Sequence, residues 1–454
     1  MNKEGLKKYW WWLPLLLLVL FGNSRHILDS DEGVILSGAW NIINERQIYT
    51  DFFSFTTPGT YYAVAGLWKL LGVSYWSAKV LSALFVFFSA VGLYRLGRMF
   101  PGKFYFLPPI FFVAASFAWP IIGYYIYNVF FMVWATFYFC RALEKNSLKN
   151  LLLSGLLSAL ATLFLQSKGA VLVFVVITYL GALAIIKRET RYWRWAFLYG
   201  ALSLILCLGL FFFWTPQILY HYLIDFPLFH YSAVISRTLY LWYFFLLLLA
   251  AAIFTAYRQA DKKMWFLFYL QLTMLVLASV LPDWFHLCLS IFPLLALWPF
   301  FMGKIWSAPA GQKFFYSGGL LAIAFFMSLP SLLVLKTPPW RSVSQHPLFK
   351  AINMYCQDSP YIYAGAFIPG VYFETRKLNA TAYDWLITNH QTNEDFLAAR
   401  DSLAEKKPAC VISSPLFVGQ YGYDFNNPVD NYIPEHYRVV WSDSNFKLWR
   451  LVTD

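Results

Sequence analysis

Asp29–Gly72 reads DSDEGVILSGAWNIINERQIYTDFFSFTTPGTYYAVAGLWKLLG. Two stretches inside it, VILSGAWNIINE (34–45) and PGTYYAVAGLWKLLG (58–72), place apolar residues at helical spacing with few charges. Segments of that kind lie along a bilayer surface rather than across it. Before, within and between them sit five carboxylates: Asp29, Asp31, Glu32, Glu45 and Asp51. Carboxylates at a lipid interface are costly unless they stay hydrated, bind a cation or serve as a base. A solvated acidic loop is the plainer alternative.

The chain around this loop is a membrane protein by composition. Of 454 residues, 59% are hydrophobic, 21% aromatic and 13% charged; soluble domains carry about 25% charged residues. That excludes an ordinary cytosolic enzyme. Five scattered cysteines make neither a disulfide framework nor a metal knuckle. The net charge of +12 does not imply a nucleic-acid partner, because the basic residues gather at the ends of apolar runs. Eleven spans are expected, at 9–24, 76–96, 104–122, 124–141, 150–167, 169–186, 195–214, 239–257, 264–281, 286–302 and 314–335. A crossing helix needs about 20 apolar residues, so the shorter runs borrow flanking aromatics. The first run is basic then apolar, as in a signal peptide, but lacks a small-residue cleavage site and is read as a mature span. With the N-terminus in the cytoplasm, 18 basic residues fall on the cytoplasmic side and 6 on the other. The asymmetry predicts N-in, C-out.

Domain organisation follows. Residues 1–336 form the membrane part, with the first outer loop at about 25–75, and 337–454 form an extracytoplasmic α/β domain. HPLFKAINMYCQ and NEDFLAARDSLAEKK read as helices. YIYAGAF, ACVISSP, YRVVWS and FKLWRLV read as strands. Cys356 and Cys410 are the tail's two cysteines. They are read as buried free thiols, with a disulfide in an oxidising compartment as the alternative. Asn379-Ala-Thr381 fits a glycosylation sequon, a triplet that also arises by chance.

These residues resemble a known family. The chain is similar to membrane glycosyltransferases of the GT-C fold, most of all the bacterial branch related to aminoarabinose transferase, protein O-mannosyltransferases and rhizobial lipopolysaccharide core transferases. Asp31-Glu32-Gly33, Tyr49, Asp51, Pro58, Tyr61 and Leu71-Gly72 match the family's first loop in order. FLQSKGAVL resembles its Lys-Gly turn and contributes Lys168; LPDWFHLCLSIFPLLAL resembles a segment with an aromatic-His pair and an internal proline, here His286 and Pro293. The sequence has one proline at Thr57-Pro58 where relatives have two. It has Asn128, in IIGYYIYNVFF, where several relatives carry a second aspartate.

The resemblance implies inverting transfer of one sugar from a polyprenyl phosphate to a lipid, glycan or protein acceptor at the outer face of a bacterial inner membrane. It assigns the catalytic role to Asp31, with Glu32 raising its basicity and Asp51 orienting the acceptor. It assigns the donor phosphate to Lys168, with His286, Arg237 and Arg25 as alternatives. Each of these has a plainer reading: Lys168 snorkels to headgroups, and His286 is a satisfied interfacial residue. Asp29, Tyr61, Tyr124 and Asn128 are weaker candidates for sugar or acceptor contact. A divalent cation, magnesium or manganese, remains open, with Asp31 and Asp51 as ligands. The aromatics of 208–214 would line a groove for the lipid tail. The rival classes are a transporter or flippase, which calls for inverted repeats that are not found, and a polysaccharide polymerase, which calls for a larger late loop. A further reading is a scaffold whose working part is the tail; deleting 337–454 would separate that idea from catalysis in the membrane half.

Overall fold

The computed structural model describes residues 11–24, 30–117, 120–231, 261–278, 284–307, 345–357, 359–419 and 422–452, with isolated positions 313, 317 and 324. The expected spans at 239–257 and 314–335 lie outside these residues or almost wholly so, as do Arg25, Asp29 and Arg237.

Helix α1 (Trp12–Gly22) starts the chain, followed by α2 (Ser30–Ile43) and α3 (Gly59–Leu71). Helices α4 (Tyr75–Gly97), α5 (Leu107–Ser116), α6 (Tyr124–Lys145), α7 (Leu148–Phe164), α8 (Gln166–Lys187) and α9 (Thr190–Leu208) make the bundle. Helices α4, α6, α8 and α9, the last extended by a 3₁₀ turn to Phe212, are long and apolar enough to cross a membrane. The protein is a helical membrane protein, and its outer faces are apolar: Phe174, Ile185, Ile186, Phe197 and Phe212 are all exposed. A soluble protein would bury such side chains; here hydrocarbon replaces the missing core.

Three expected spans differ from the helices described; at 9–24 the helix is only Trp12–Gly22, 11 residues. At 104–122 the helix is only Leu107–Ser116, 10 residues, about 15 Å at 1.5 Å per residue against a core of about 30 Å. At 286–302 one helix was expected. After α10 (Pro216–Tyr220), a π-helical turn (His221–His230) and α11 (Lys262–Ala278), the chain instead forms three short helices: α12 (Trp284–Ser290), α13 (Phe292–Ala296) and α14 (Trp298–Ser307). The breaks leave backbone groups that must be paired inside the protein. Gln271 of α11 does this, donating to the Ser290 carbonyl at 3.2 Å and accepting from the Leu294 amide at 3.2 Å.

In the tail, α15 (Pro347–Tyr355) precedes β1 (Tyr361–Ala364), α16 (Gly370–Thr375), β2 (Leu378–Asn379), α17 (Asn393–Lys406) and β3 (Cys410–Ser413). Then come α18 (Pro415–Gly419), α19 (Pro428–His436), β4 (Tyr437–Ser442) and β5 (Lys447–Leu451). The five-stranded sheet has the order β2-β1-β3-β5-β4, with β1 parallel to β2 and β3, and β5 antiparallel to β3 and β4. Each helix and strand expected in the tail is present; α16, β2, α18 and α19 are additions. Cys356 and Cys410 form a disulfide, with Cα atoms 5.7 Å apart, tying the end of α15 to β3. The reading as free thiols is therefore corrected. Asn379 of the sequon is 1% exposed, and its amide donates to the Tyr383 carbonyl and to Asp384 Oδ1, both at 2.9 Å. That leaves it no freedom to accept a glycan.

Candidate active site

The site is built where α2 passes between the bundle and the tail. Helix α3 keeps an exposed edge of Tyr62, Leu70 and Leu71, as an interfacial helix should. Helix α2, expected to lie free on the bilayer surface, is buried on nearly every side. Its Gly33 explains the fit: a Cβ there would come within 2.4 Å of the Gly370 amide nitrogen, so only glycine lets α16 of the tail pack this closely.

Asp31 and Glu32 occupy the first turn of α2, where carboxylates complement the helix dipole. Consecutive helical residues point about 100° apart, and here the two carboxylates part company. Asp31 is exposed and lines a cleft whose free space, its open mouth included, is about 590 Å³. Glu32 is 1% exposed and turned into the bundle. It pairs with Lys79 of α4 at 2.7 Å, accepts from the Ile122 amide at 3.0 Å and from the Tyr75 hydroxyl at 3.2 Å. Lys79 also donates to the Pro120 carbonyl. Glu32, expected to act beside Asp31, is thus a tie between α2, α4 and the strap that leads into α6.

That strap delivers Tyr124 and Tyr125 to the cavity, where they meet His286 of α12. The Tyr125 ring stands edge-on to the His286 imidazole, centroids 4.4 Å apart. Lys168, 5% exposed, lies behind it with Nζ 4.9 Å from the Tyr125 ring centre. Lys168 Nζ donates to Ser290 Oγ at 3.4 Å, and Ser290 donates to the His286 carbonyl at 2.6 Å. Lys168 and His286, read from separate motifs, are brought together. The Lys-Gly turn works through Gly169, whose Cβ would fall 2.2 Å from the Thr162 backbone nitrogen. It lets α7 and α8 meet closely.

The loop 47–57 forms the cavity's rim. The Tyr61 hydroxyl lies 3.1 Å from Ser54 Oγ, and burial pushes its pKa up, keeping it a neutral hydroxyl. Tyr49 donates to the Thr56 carbonyl at 2.6 Å, and Gln166 Nε2 to the Phe55 carbonyl at 2.7 Å. Trp214 Nε1 donates to the Ile48 carbonyl at 2.9 Å. Phe212 and Phe213 beyond it are 91% and 68% exposed, which suits contact with lipid.

Two expected residues lie elsewhere. Asp51 accepts from the Gln47 amide at 2.6 Å and is not among the residues lining the cavity. Asn128 is fully buried and donates to the Ala161 carbonyl at 2.8 Å, securing the end of α7. Of the two carboxylates expected to share a cation, Asp31 lines the cavity and Asp51 does not. Among the described residues no three His, Cys, Asp or Glu side chains converge.

The second carboxylate on the cavity comes instead from the tail: Asp384, beside Trp385. Asp384 accepts from Asn379 Nδ2 at 2.9 Å, and burial raises its pKa above the ordinary range, opposed by hydrogen bonds from Ser37 and Asn379 and by the Arg46 charge. Sequence reasoning missed it. The signal was a carboxylate flanked by two aromatics, Tyr383-Asp384-Trp385, in an otherwise featureless loop.

Comparison with solved structures fits this architecture. ArnT from Cupriavidus metallidurans superposes in its apo state with a TM-score of 0.64 at 13% identity, covering 99% of each chain. The chain has the GT-C fold. The same ArnT bound to undecaprenyl phosphate gives 0.60, again over 99% of both chains at 13% identity. The Archaeoglobus fulgidus oligosaccharyltransferase, apo, gives 0.62 at 10% identity, over 99% of this chain and 75% of its own. A structure of the latter is a complex with Zn and sulfate. No family model and no curated protein sequence matches the chain.

Proposed function

We propose that this protein is an integral-membrane glycosyltransferase that moves a single sugar from a polyprenyl-phosphate donor to a lipid, glycan or protein acceptor. The observation that carries the reading is one cavity shared by an exposed aspartate, Asp31, and by a cationic and aromatic wall of His286 and Tyr125 backed by Lys168. A transfer needs these two features on opposite ends of one reacting carbon. Superposition on a structure that holds undecaprenyl phosphate supports the choice of donor.

In the proposed reaction the acceptor hydroxyl gives its proton to the Asp31 carboxylate while its oxygen attacks the anomeric carbon. The bond from that carbon to the phosphate oxygen breaks, and polyprenyl phosphate leaves with the electron pair. Attack from the face away from the leaving group inverts the centre. His286 hydrogen-bonds the phosphate from the cavity wall, and Lys168, buried behind Tyr125 and outside the lining, adds its positive charge as negative charge builds there. The lipid tail runs along the exposed aromatics of 208–213. Eleven spans with the N-terminus in the cytoplasm, and residues 337–454 as a periplasmic domain of a bacterial inner-membrane protein, complete the reading. The 18-to-6 asymmetry of basic residues supports the orientation. The Cys356–Cys410 disulfide supports an oxidising compartment for the tail.

The test uses purified protein with a panel of polyprenyl-phosphate sugars and candidate acceptors, following release of polyprenyl phosphate. Wild type is expected to release it, and Asp31→Asn to be slower by roughly 100-fold or more. Equal rates would remove Asp31 as base. Movement of intact donor across vesicle membranes without bond cleavage would instead establish the transporter reading.

A further inference from the structure

One wall of the cavity plays no part in the chemistry described so far. Asp384 and Trp385 line it from the turn between β2 and α17. The turn is fastened to the first loop: the Phe53 amide donates to the Ala382 carbonyl at 2.7 Å, and Arg46 donates to the Asn379 carbonyl at 3.3 Å. Ser37 of α2 also hydrogen-bonds the Asp384 carboxyl. Asp384 is 3% exposed. Burying a carboxyl beside a cavity costs stability, and a turn needing only shape would not demand one. Trp385 packs against Phe55 and Tyr231, with centroids 5.4 Å and 5.6 Å away. Its Nε1–H is buried with no acceptor among the described residues, a state that folding tolerates only at a cost.

An accepting carboxyl and a flat indole, adjacent on one wall, match a ligand with several hydroxyls and an apolar face. A pyranose or furanose ring has that chemistry. The position fits too. Asp31 and the His286 wall serve the two ends of the bond being made and broken, so the ring held between them must turn its remaining hydroxyls to the rest of the lining.

We infer that Asp384 and Trp385 form the sugar-recognition wall of the cavity, the carboxyl accepting hydrogen bonds from hydroxyls of the transferred sugar and the indole packing on its face. The inference rests on the transferase reading, but binding tests it separately from turnover. Full-length protein would be titrated with polyprenyl phosphate and with a polyprenyl-phosphate hexose. Asp384→Asn and Trp385→Phe are expected to bind the bare lipid phosphate as wild type does. They should bind the sugar-bearing lipid roughly tenfold more weakly, with a matching rise in donor KM. Asp384→Asn keeps the size of the side chain, and Trp385→Phe keeps a ring while removing the donor, so folding is preserved in at least one variant. Equal weakening for both lipids would make the turn structural and overturn the inference. Unchanged donor binding with a raised acceptor KM would assign the wall to the acceptor and overturn it as well. A wild type that prefers the sugar-bearing lipid and carries it intact across a vesicle membrane without bond cleavage would refute the transferase reading while leaving the wall intact.

Discussion

The Glu32–Lys79 pair offers the sharpest perturbation. The two groups are 2.7 Å apart at 1% and 2% exposure. Glu32 also takes the Ile122 amide and the Tyr75 hydroxyl, and Lys79 the Pro120 carbonyl. Glu32→Gln removes the carboxylate that lies against the buried ammonium, and Lys79→Met removes the ammonium that lies against the buried carboxylate. Each single change should cost about 3–5 kcal/mol, and the double change much less than their sum, because removing both charges also removes both desolvation costs. The same tie fixes Asp31 on α2 relative to Tyr124 and Tyr125 on α6, so turnover should follow stability through the series. The assay is a double-mutant cycle on reversible unfolding in mixed micelles, with polyprenyl phosphate release measured on the same preparations. Additive losses would refute the pair as the unit. A stable Glu32→Gln protein without turnover would return Glu32 to the chemistry, as its place beside Asp31 in the sequence suggested.

Three further outcomes are expected. Reducing the Cys356–Cys410 bond, which closes a separation of 54 residues, should destabilise the tail by about 4 kcal/mol; an unchanged denaturation midpoint after complete reduction would argue against this. Gly33→Val should push α16 off α2 and open the seam to protease, whereas Gly66→Val, with nothing within 4 Å of its added Cβ, should not; limited proteolysis reads both. Asp384 has its pKa raised by burial, so its contribution to stability is present below the unfolded value of about 3.9 and is lost as pH rises through the folded value. Melting profiles of wild type and Asp384→Asn should therefore diverge across that window, with wild type losing ground as pH rises; parallel profiles would contradict the buried placement.

Much of the helical frame was legible because lipid demands it: apolar runs and the basic residues at their ends follow directly from solvation. The exceptions have a local cause. The break between α12 and α13 has its signal in LSIFPLLAL, Pro293 in the first turn of α13, but not its remedy, because the groups it frees are paired by Gln271 on another helix. The two carboxylates misled for a related reason. Adjacency in sequence suggested one shared site, but one helical step of about 100° sends Asp31 to the cavity and Glu32 to the bundle. Short motifs pointed to Lys168 and His286, and the structure sets the two on either side of Tyr125, each near a helix start. Asp384 was not, because its meaning comes from a turn more than 300 residues beyond the loop it meets, held there by Arg46 and the Phe53 amide.

That long-range contact changes how the tail should be tested. From sequence, removing 337–454 looked like a clean way to separate catalysis in the membrane half from a working role for the tail. In the structure the cut would delete Asp384 and Trp385 from the cavity. It would also strip the cover from α2, whose buried residues include Glu32, Gly33, Ile35, Leu36 and Ser37. Loss of activity would then follow whether the tail recognises sugar, braces the helix that carries Asp31, or does both. Point changes divide these roles where truncation cannot. Gly33→Val disturbs the brace while leaving the wall's side chains in place, and Asp384→Asn alters the wall while leaving the seam closed. If only the first change abolishes turnover, the tail is a brace. If the second alone shifts donor affinity, the active site of this GT-C protein belongs to both halves of the chain.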